Sequence, residues 1–92
     1  MGMIHLSGRL ICKDRAEADV VRRELPEHIR LTRAEPGCVT FEVTATDDPL
    51  CWQVAETFRD RAAFEAHQAR TRASAWHVAT AGIAREFTRT ED

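Results

Sequence analysis

Between residues 4 and 12 apolar and polar positions alternate. Ile4, Leu6, Leu10 and Cys12 fall on one face, and His5, Ser7, Arg9 and Ile11 on the other. A period of two predicts a strand, with Gly8 leaving a gap or a bulge at its middle. The period then changes. Asp14-Arg-Ala-Glu17 has capping-box spacing, and Val21, Leu25, His28 and Thr32 follow on one helical stripe, flanked by Val20, Ile29 and Leu31. Pro26 lies inside this stripe. It lacks a backbone donor and crowds the carbonyl of Arg22, so a kink or break is expected there. The helix should end before Glu35-Pro36-Gly37, because Pro36 disfavours helix at Glu35 and Gly37 suits a turn.

Residues 38–46 and 51–58 form the two arms of a predicted hairpin around Asp47-Asp48-Pro49-Leu50. Pairing Thr46 with Cys51 sets Val39 opposite Phe58, Phe41 opposite Glu56, Val43 opposite Val54 and Ala45 opposite Trp52. One face is then almost wholly apolar, which supports the register. The other face carries Thr40, Glu42, Thr44, Gln53, Ala55 and Thr57. This register puts Cys38 and Cys51 at opposite ends of the hairpin, which excludes a bond between them.

Asp60 can cap a second helix with Phe64, His67, Gln68 and Thr71 on one stripe. Thr71 or Ser74 offers another cap that would divide this helical region in two. Gly82 closes it. Residues 83–88 form the last strand, with Ile83, Arg85 and Phe87 on one face.

Two β-α-β halves of similar length predict an α+β, ferredoxin-like β-α-β-β-α-β sandwich. Its four-stranded antiparallel sheet would carry both helices on one face. His5, Ile11, Ala55 and several threonines would line the other face. A half-apolar sheet face invites a second copy of the chain, so a homodimer through that face is expected.

Composition narrows the function. The 92 residues suit a single domain over residues 1–92, and 43% hydrophobic with 30% charged residues is a globular balance. A domain this short buries only about 60–65% of its unfolded surface, so partnering would add stability. The formal charge is −2, and the twelve arginines are scattered among acidic residues. Nucleic-acid and anionic-membrane partners gain no support from that pattern. No apolar run approaches the roughly 18 residues that cross a bilayer. The first residues lack the layout of a secretory signal, so a cytoplasmic protein is expected. Cys12, Cys38 and Cys51 lack CxxC spacing, which argues against a disulfide framework and a zinc site; small buried hydrophobes are expected.

Dinucleotide, P-loop, zincin and nucleophile-elbow motifs are all absent. What stands out is a few polar residues at apolar positions. His28 and His67 occupy the inner stripes of two helices that this fold lays side by side, so both rings could share one space as acid–base groups. Glu56 lies on the apolar face of the hairpin, where a carboxylate must be paired or its pKa rises. Arg9 or Arg85 could pair it. Phe41, Phe58, Phe64 and Trp76 are candidate pocket walls as well as core. His77 lacks same-face spacing from His67, so no metal site is expected.

Several stretches together resemble the antibiotic biosynthesis monooxygenase (ABM) family of the dimeric α/β-barrel superfamily. They are Leu25-Pro-Glu-His28, Arg33-Ala-Glu-Pro-Gly-Cys38, Phe41, Glu56-Thr-Phe58-Arg-Asp60 and Ala63-Phe64-Glu-Ala-His67. The resemblance implies a homodimer with face-to-face sheets and a pocket between helices and sheet. It implies oxidation of an aromatic quinol or polyketide-like substrate with O2, using neither metal nor flavin. His67 would be the base or an orienting hydrogen bond, His28 a second polar anchor, and Arg85 an anion stabiliser. Phe41, Phe58, Phe64 and Trp76 would wall the substrate pocket. The family often follows its helix histidine with a Thr-Pro-His-Phe-like turn, whose Pro and His places are Thr71 and Arg72 here. That difference motivates an alternative, a non-catalytic dimeric ligand-binding or regulatory module. A haem-degrading branch resembles the chain less, with Gly8 where that branch has Asn and His67 where it has Trp.

Overall fold

A computed structural model describes residues 2–92. The elements run β1 (Ile4–Ile11), α1 (Arg15–Arg33), β2 (Cys38–Ala45), β3 (Cys51–Phe58), α2 (Arg61–Arg72), α3 (Ala75–Thr80) and β4 (Ala84–Glu91). The strands make one sheet in the order β2-β3-β1-β4, every neighbouring pair antiparallel. The helices cover one face. This is the expected ferredoxin-like architecture with its second helical region split.

Local chemistry explains the boundaries. Asp14 caps α1 by accepting from the Glu17 backbone at 3.0 Å, while Glu17 accepts from the Lys13 backbone at 2.8 Å, one residue before the cap. Asp60 caps α2 through the Ala63 N–H at 2.8 Å. Ser74, rather than Thr71, starts α3 by accepting from the His77 N–H at 3.2 Å. The last strand is longer than expected, Ala84–Glu91 rather than residues 83–88.

Three local expectations fail. Helix α1 runs through Pro26 without a break. Pro26 and Arg22 are both on the exposed face, so water can hydrate the carbonyl that Pro26 leaves without a donor. In the hairpin, the register matches from Thr40 onward, with Thr40 opposite Thr57, Phe41 opposite Glu56, Val43 opposite Val54 and Ala45 opposite Trp52. At its start the ladder shifts: Cys38 rather than Val39 pairs with Phe58, and Val39 sits in the irregularity, 53% exposed. The extra residue in β2 carries Val39 away from the core. Gly8, by contrast, keeps β1 in regular register. The space it leaves is filled by its neighbour on β4, since a Cβ on Gly8 would lie 2.3 Å from the Phe87 ring.

Two apolar clusters form beneath the helices. The larger joins Leu10, Val21, Leu25, Trp52, Val54, Trp76 and Ile83 with small neighbours. The smaller is Ile4, Phe58 and Phe64. Along β3 the two are separated by Glu56, which lies between Val54 and Phe58 on the helix-facing side. His28 on α1 and His67 on α2 are buried with it. The site therefore occupies a polar seam between two halves of the core. The cysteines are unbonded, with Cys12 and Cys51 buried and Cys38 half-buried.

The loop after α1 is drawn tightly against α2. Gly37 is buried, and a Cβ there would lie 2.1 Å from the Ala63 Cβ. Gly37→Ala should therefore cost about 1–3 kcal/mol in denaturant unfolding. Ala63→Gly in the same background should recover part of the loss. A Gly37→Ala protein as stable as the parent would show that the loop has slack.

Candidate active site

The tight loop delivers Glu35 to α2. Its carboxylate meets His67 Nδ1 at 2.9 Å and also accepts a hydrogen bond from Arg70 Nε. Arg70 in turn donates to Thr32 Oγ1 on α1 at 2.9 Å. His67 and Arg70 are one helical turn apart, so one carboxylate can hold both. Glu35 has only acceptors to offer, which places the ring proton on Nδ1 and leaves Nε2 with a free lone pair.

Nε2 looks toward Glu56. Glu56 Oε1 lies 3.6 Å away, and the Thr71 hydroxyl stands 3.5 Å from the same nitrogen. Burial pushes the Glu56 carboxyl up to about 7, with the Glu35 charge adding to the effect. Burial also lowers His67, against the raising influence of Glu35. Burial thus disfavours charge on both members of this close pair, a carboxyl that still holds its proton in part near pH 7 and an imidazole shifted toward its neutral form. The expected arginine partners for Glu56 are engaged elsewhere. Arg9 pairs with Glu86 on the other face of the sheet, and Arg85 donates to the Thr80 and Ile83 carbonyls and the Thr80 hydroxyl.

His28 lies 6.1 Å from His67, ring centre to ring centre. It stacks on Trp76 at 4.7 Å with the planes 6° apart, and Phe41 meets it edge-on. Burial drives its pKa down to about 3, with Arg70 and His67 adding to the effect, so the ring is neutral. Its Nδ1 is buried with no hydrogen-bond partner among the described residues. An unpaired polar atom in a core is costly, so His28 Nδ1 is a group that a bound ligand could satisfy.

These groups open onto a cavity of about 450 Å³ between sheet and helices. His28, His67, Phe41, Trp76 and Arg85 from the expected set line it, as do Glu56, Thr71 and Arg72. Phe58 and Phe64 do not. Phe58 packs 4.6 Å from the His67 ring and Phe64 packs against Phe58, so they back the His67 ring rather than wall the cavity. His77 is at the rim, and among the described residues no three His, Cys, Asp or Glu side chains converge on a metal position. Glu35 was missed as a site residue. The signals that could have found it are an acidic residue before a Pro-Gly turn and an arginine three positions after His67.

The family model for antibiotic biosynthesis monooxygenases matches residues 3–79. With the seam and cavity in place as described, the chain belongs to that family. No curated protein sequence matches it. Among solved structures it is similar to a Deinococcus radiodurans protein assigned to the antibiotic biosynthesis monooxygenases, with TM-score 0.81, 20% identity, and 97% of this chain and 91% of that one covered. A Bacteroides thetaiotaomicron protein assigned likewise gives TM-score 0.78 at 24% identity, covering 99% and 87%. A Shewanella oneidensis protein gives TM-score 0.78 at 20% identity, covering 99% and 91%. At these identities the likeness shows the fold.

Glu56 carries a pH signature. Its folded pKa of about 7 lies above the ordinary 4.5, so the stability it retains at acid pH is lost as pH rises through 7. Glu56→Gln, which stays neutral, should gain on the parent by about 3 kcal/mol between pH 4.5 and 9. Chemical denaturation across that range tests this. A constant difference would mean that Glu56 is charged and paired throughout.

Proposed function

We propose that the chain is a monooxygenase of the family's cofactor-independent kind, oxidising an aromatic quinol or polyketide-like compound with O2. The observation that carries this is the Glu35–His67 hydrogen bond behind an Nε2 that faces Glu56 and Thr71 on the cavity wall. A neutral imidazole oriented by a carboxylate is a competent general base at neutral pH.

The chemistry balances for an activated methylene. His67 Nε2 takes a proton from the substrate carbon, and Glu35 steadies the imidazolium. The carbanion passes its electrons to O2, and a C–O bond forms to give a hydroperoxide as the proton returns. A second proton then leaves the carbon, the O–O bond breaks, and water departs to leave a carbonyl. The substrate supplies all four electrons and O2 accepts them. Glu56, which keeps its proton in part near neutral pH, can donate to the departing oxygen. His28, Phe41 and Trp76 hold the ring system, and the apolar walls exclude bulk water.

The test is oxygen uptake with a panel of anthrones and hydroquinones. Turnover above the spontaneous rate is expected, with His67→Ala lowering kcat by about 10²–10⁴-fold. Binding without turnover across the panel would favour the regulatory alternative, which the Thr71-Arg72 departure from the family's Pro-His turn motivates.

We also propose a homodimer through the free sheet face, in a cytoplasmic setting. No helix among the described residues is long and apolar enough to cross a membrane. His5, Ile11, Ala55 and the threonines of β2, β3 and β4 supply a mixed, self-compatible surface. Sedimentation at micromolar concentration should give twice the chain mass; a single-chain mass would remove the proposal.

A further inference from the structure

The cavity under the helices has a direction. Its exposed lining residues are Gln68 and Arg72 on α2, His77 on α3, Ala81 just after it, and Arg85 and Phe87 on β4. Lining residues on α1, β1, β2 and β3 are buried or half-buried. β4 is a margin of the sheet and is exposed along its whole length, so the helices stop short of it. The cavity therefore opens between the α2–α3 pair and β4.

β4 is tied to the helical layer on either side of that opening. Towards one end, Arg85 donates to the Thr80 and Ile83 carbonyls and to the Thr80 hydroxyl. Towards the other, the Arg89 guanidinium lies 4.8 Å from the centre of the Phe64 ring on α2, and Arg61 pairs with Glu91. Phe87 falls between the two ties. It is 41% exposed, and among the described residues no other large apolar side chain is both exposed and part of the cavity lining.

Opposite Phe87 in the β1–β4 ladder is Gly8. The other positions of this alternating row, Ile4, Leu6, Leu10 and Cys12, all carry apolar side chains. A Cβ on Gly8 would overlap the Phe87 ring. The missing side chain is thus a seat that lets the ring lie low, at the sill of the opening. Rotation about the Cα–Cβ bond of Phe87 would lift the ring from this seat into the opening. Such rotations of exposed side chains take picoseconds to nanoseconds. A gate that fast adds no slow step to binding. It scales kon by the fraction of time for which the way is clear.

We propose that Phe87, seated on Gly8, gates the cavity from the β4 side and limits the size of the ligand that enters. Both the oxygenase reading and its regulatory alternative need the cavity as a ligand site, and the gate rests on that shared requirement rather than on the reaction. In the proposed dimer the partner lies on the opposite face of the sheet and leaves the opening clear.

Association kinetics test the gate. Stopped-flow energy transfer from tryptophan, with Trp76 in the cavity wall, would follow the entry of naphthylamine and of the bulkier aminopyrene, both neutral at neutral pH. Substitutions in binding sites act mainly on koff. A residue that merely walls the cavity would follow that rule, whereas a gate changes kon. Phe87→Ala should raise kon by about three-fold or more for aminopyrene and by less for naphthylamine. Phe87→Trp, which sets a larger ring on the same seat, should lower kon, most of all for aminopyrene. Thermal unfolding checks that both variants keep the fold. Gly8→Ala is less informative, because a Cβ there would also overlap the Glu86 carbonyl and disturb the sheet. No entry of either probe into the parent or the Phe87→Ala protein, or a kon that neither substitution changes, would overturn the proposal. A kon governed by Phe87 in a protein that consumes no oxygen with any substrate would uphold the gate and sink the oxygenase reading. Oxygen uptake whose kcat/KM is the same in the parent and both variants would do the reverse.

Discussion

The carboxylate of Glu35 ties together parts of the chain that the sheet alone would leave loosely related. It grips His67 and Arg70 on α2, and Arg70 reaches Thr32 on α1. Two helices and the loop between α1 and β2 are thereby fixed by one small charge network. In a water-poor setting such bonds are strong and directional, and leaving any member unpaired would be expensive. The same network fixes which nitrogen of His67 carries a proton, so the geometry of the fold and the tautomer of this ring have a common origin.

The network is needed because the core is not continuous. Glu56, His28 and His67 interrupt it between the Trp52–Trp76 cluster and the Phe58–Phe64 cluster. Apolar side chains there would join the two halves and stabilise the fold. The chain instead keeps a carboxyl group near neutrality, an imidazole that does not readily protonate and an orphaned ring nitrogen. Proteins violate local consistency in this way at functional sites, where stability is exchanged for reactivity.

Most of this was legible in the sequence, and the losses have definite causes. Period-two and period-3.6 patterns placed Glu56, His28 and His67 on inward faces because regular elements convert spacing into direction. They also fixed the hairpin register from Thr40 onward. The irregularity at Val39 escaped because alternation carries no mark of an extra residue. Glu35 escaped because it lies in a turn, where its direction depends on the close approach of Gly37 to Ala63 and not on any period. The break expected at Pro26 did not occur, since whether a lost helical bond matters depends on which side of the helix meets water. Phe58 and Phe64 were placed in the core correctly by hydrophobicity, but hydrophobicity does not distinguish a cavity wall from the layer behind it.

The irregularity at the start of β2 has a further effect. β2 is an outer strand, and an unbroken outer strand offers its free N–H and C=O groups as a template for another chain. Setting Val39 out of the ladder interrupts that row close to one end and twists the strand locally. β4, at the other margin, is exposed along its whole length but carries Arg85, Glu86, Arg89 and Glu91 in close succession. Both margins thus resist lateral growth of the sheet into a fibre-like ribbon. In the proposed dimer, contact between copies would fall on the flat face, where it can close on itself.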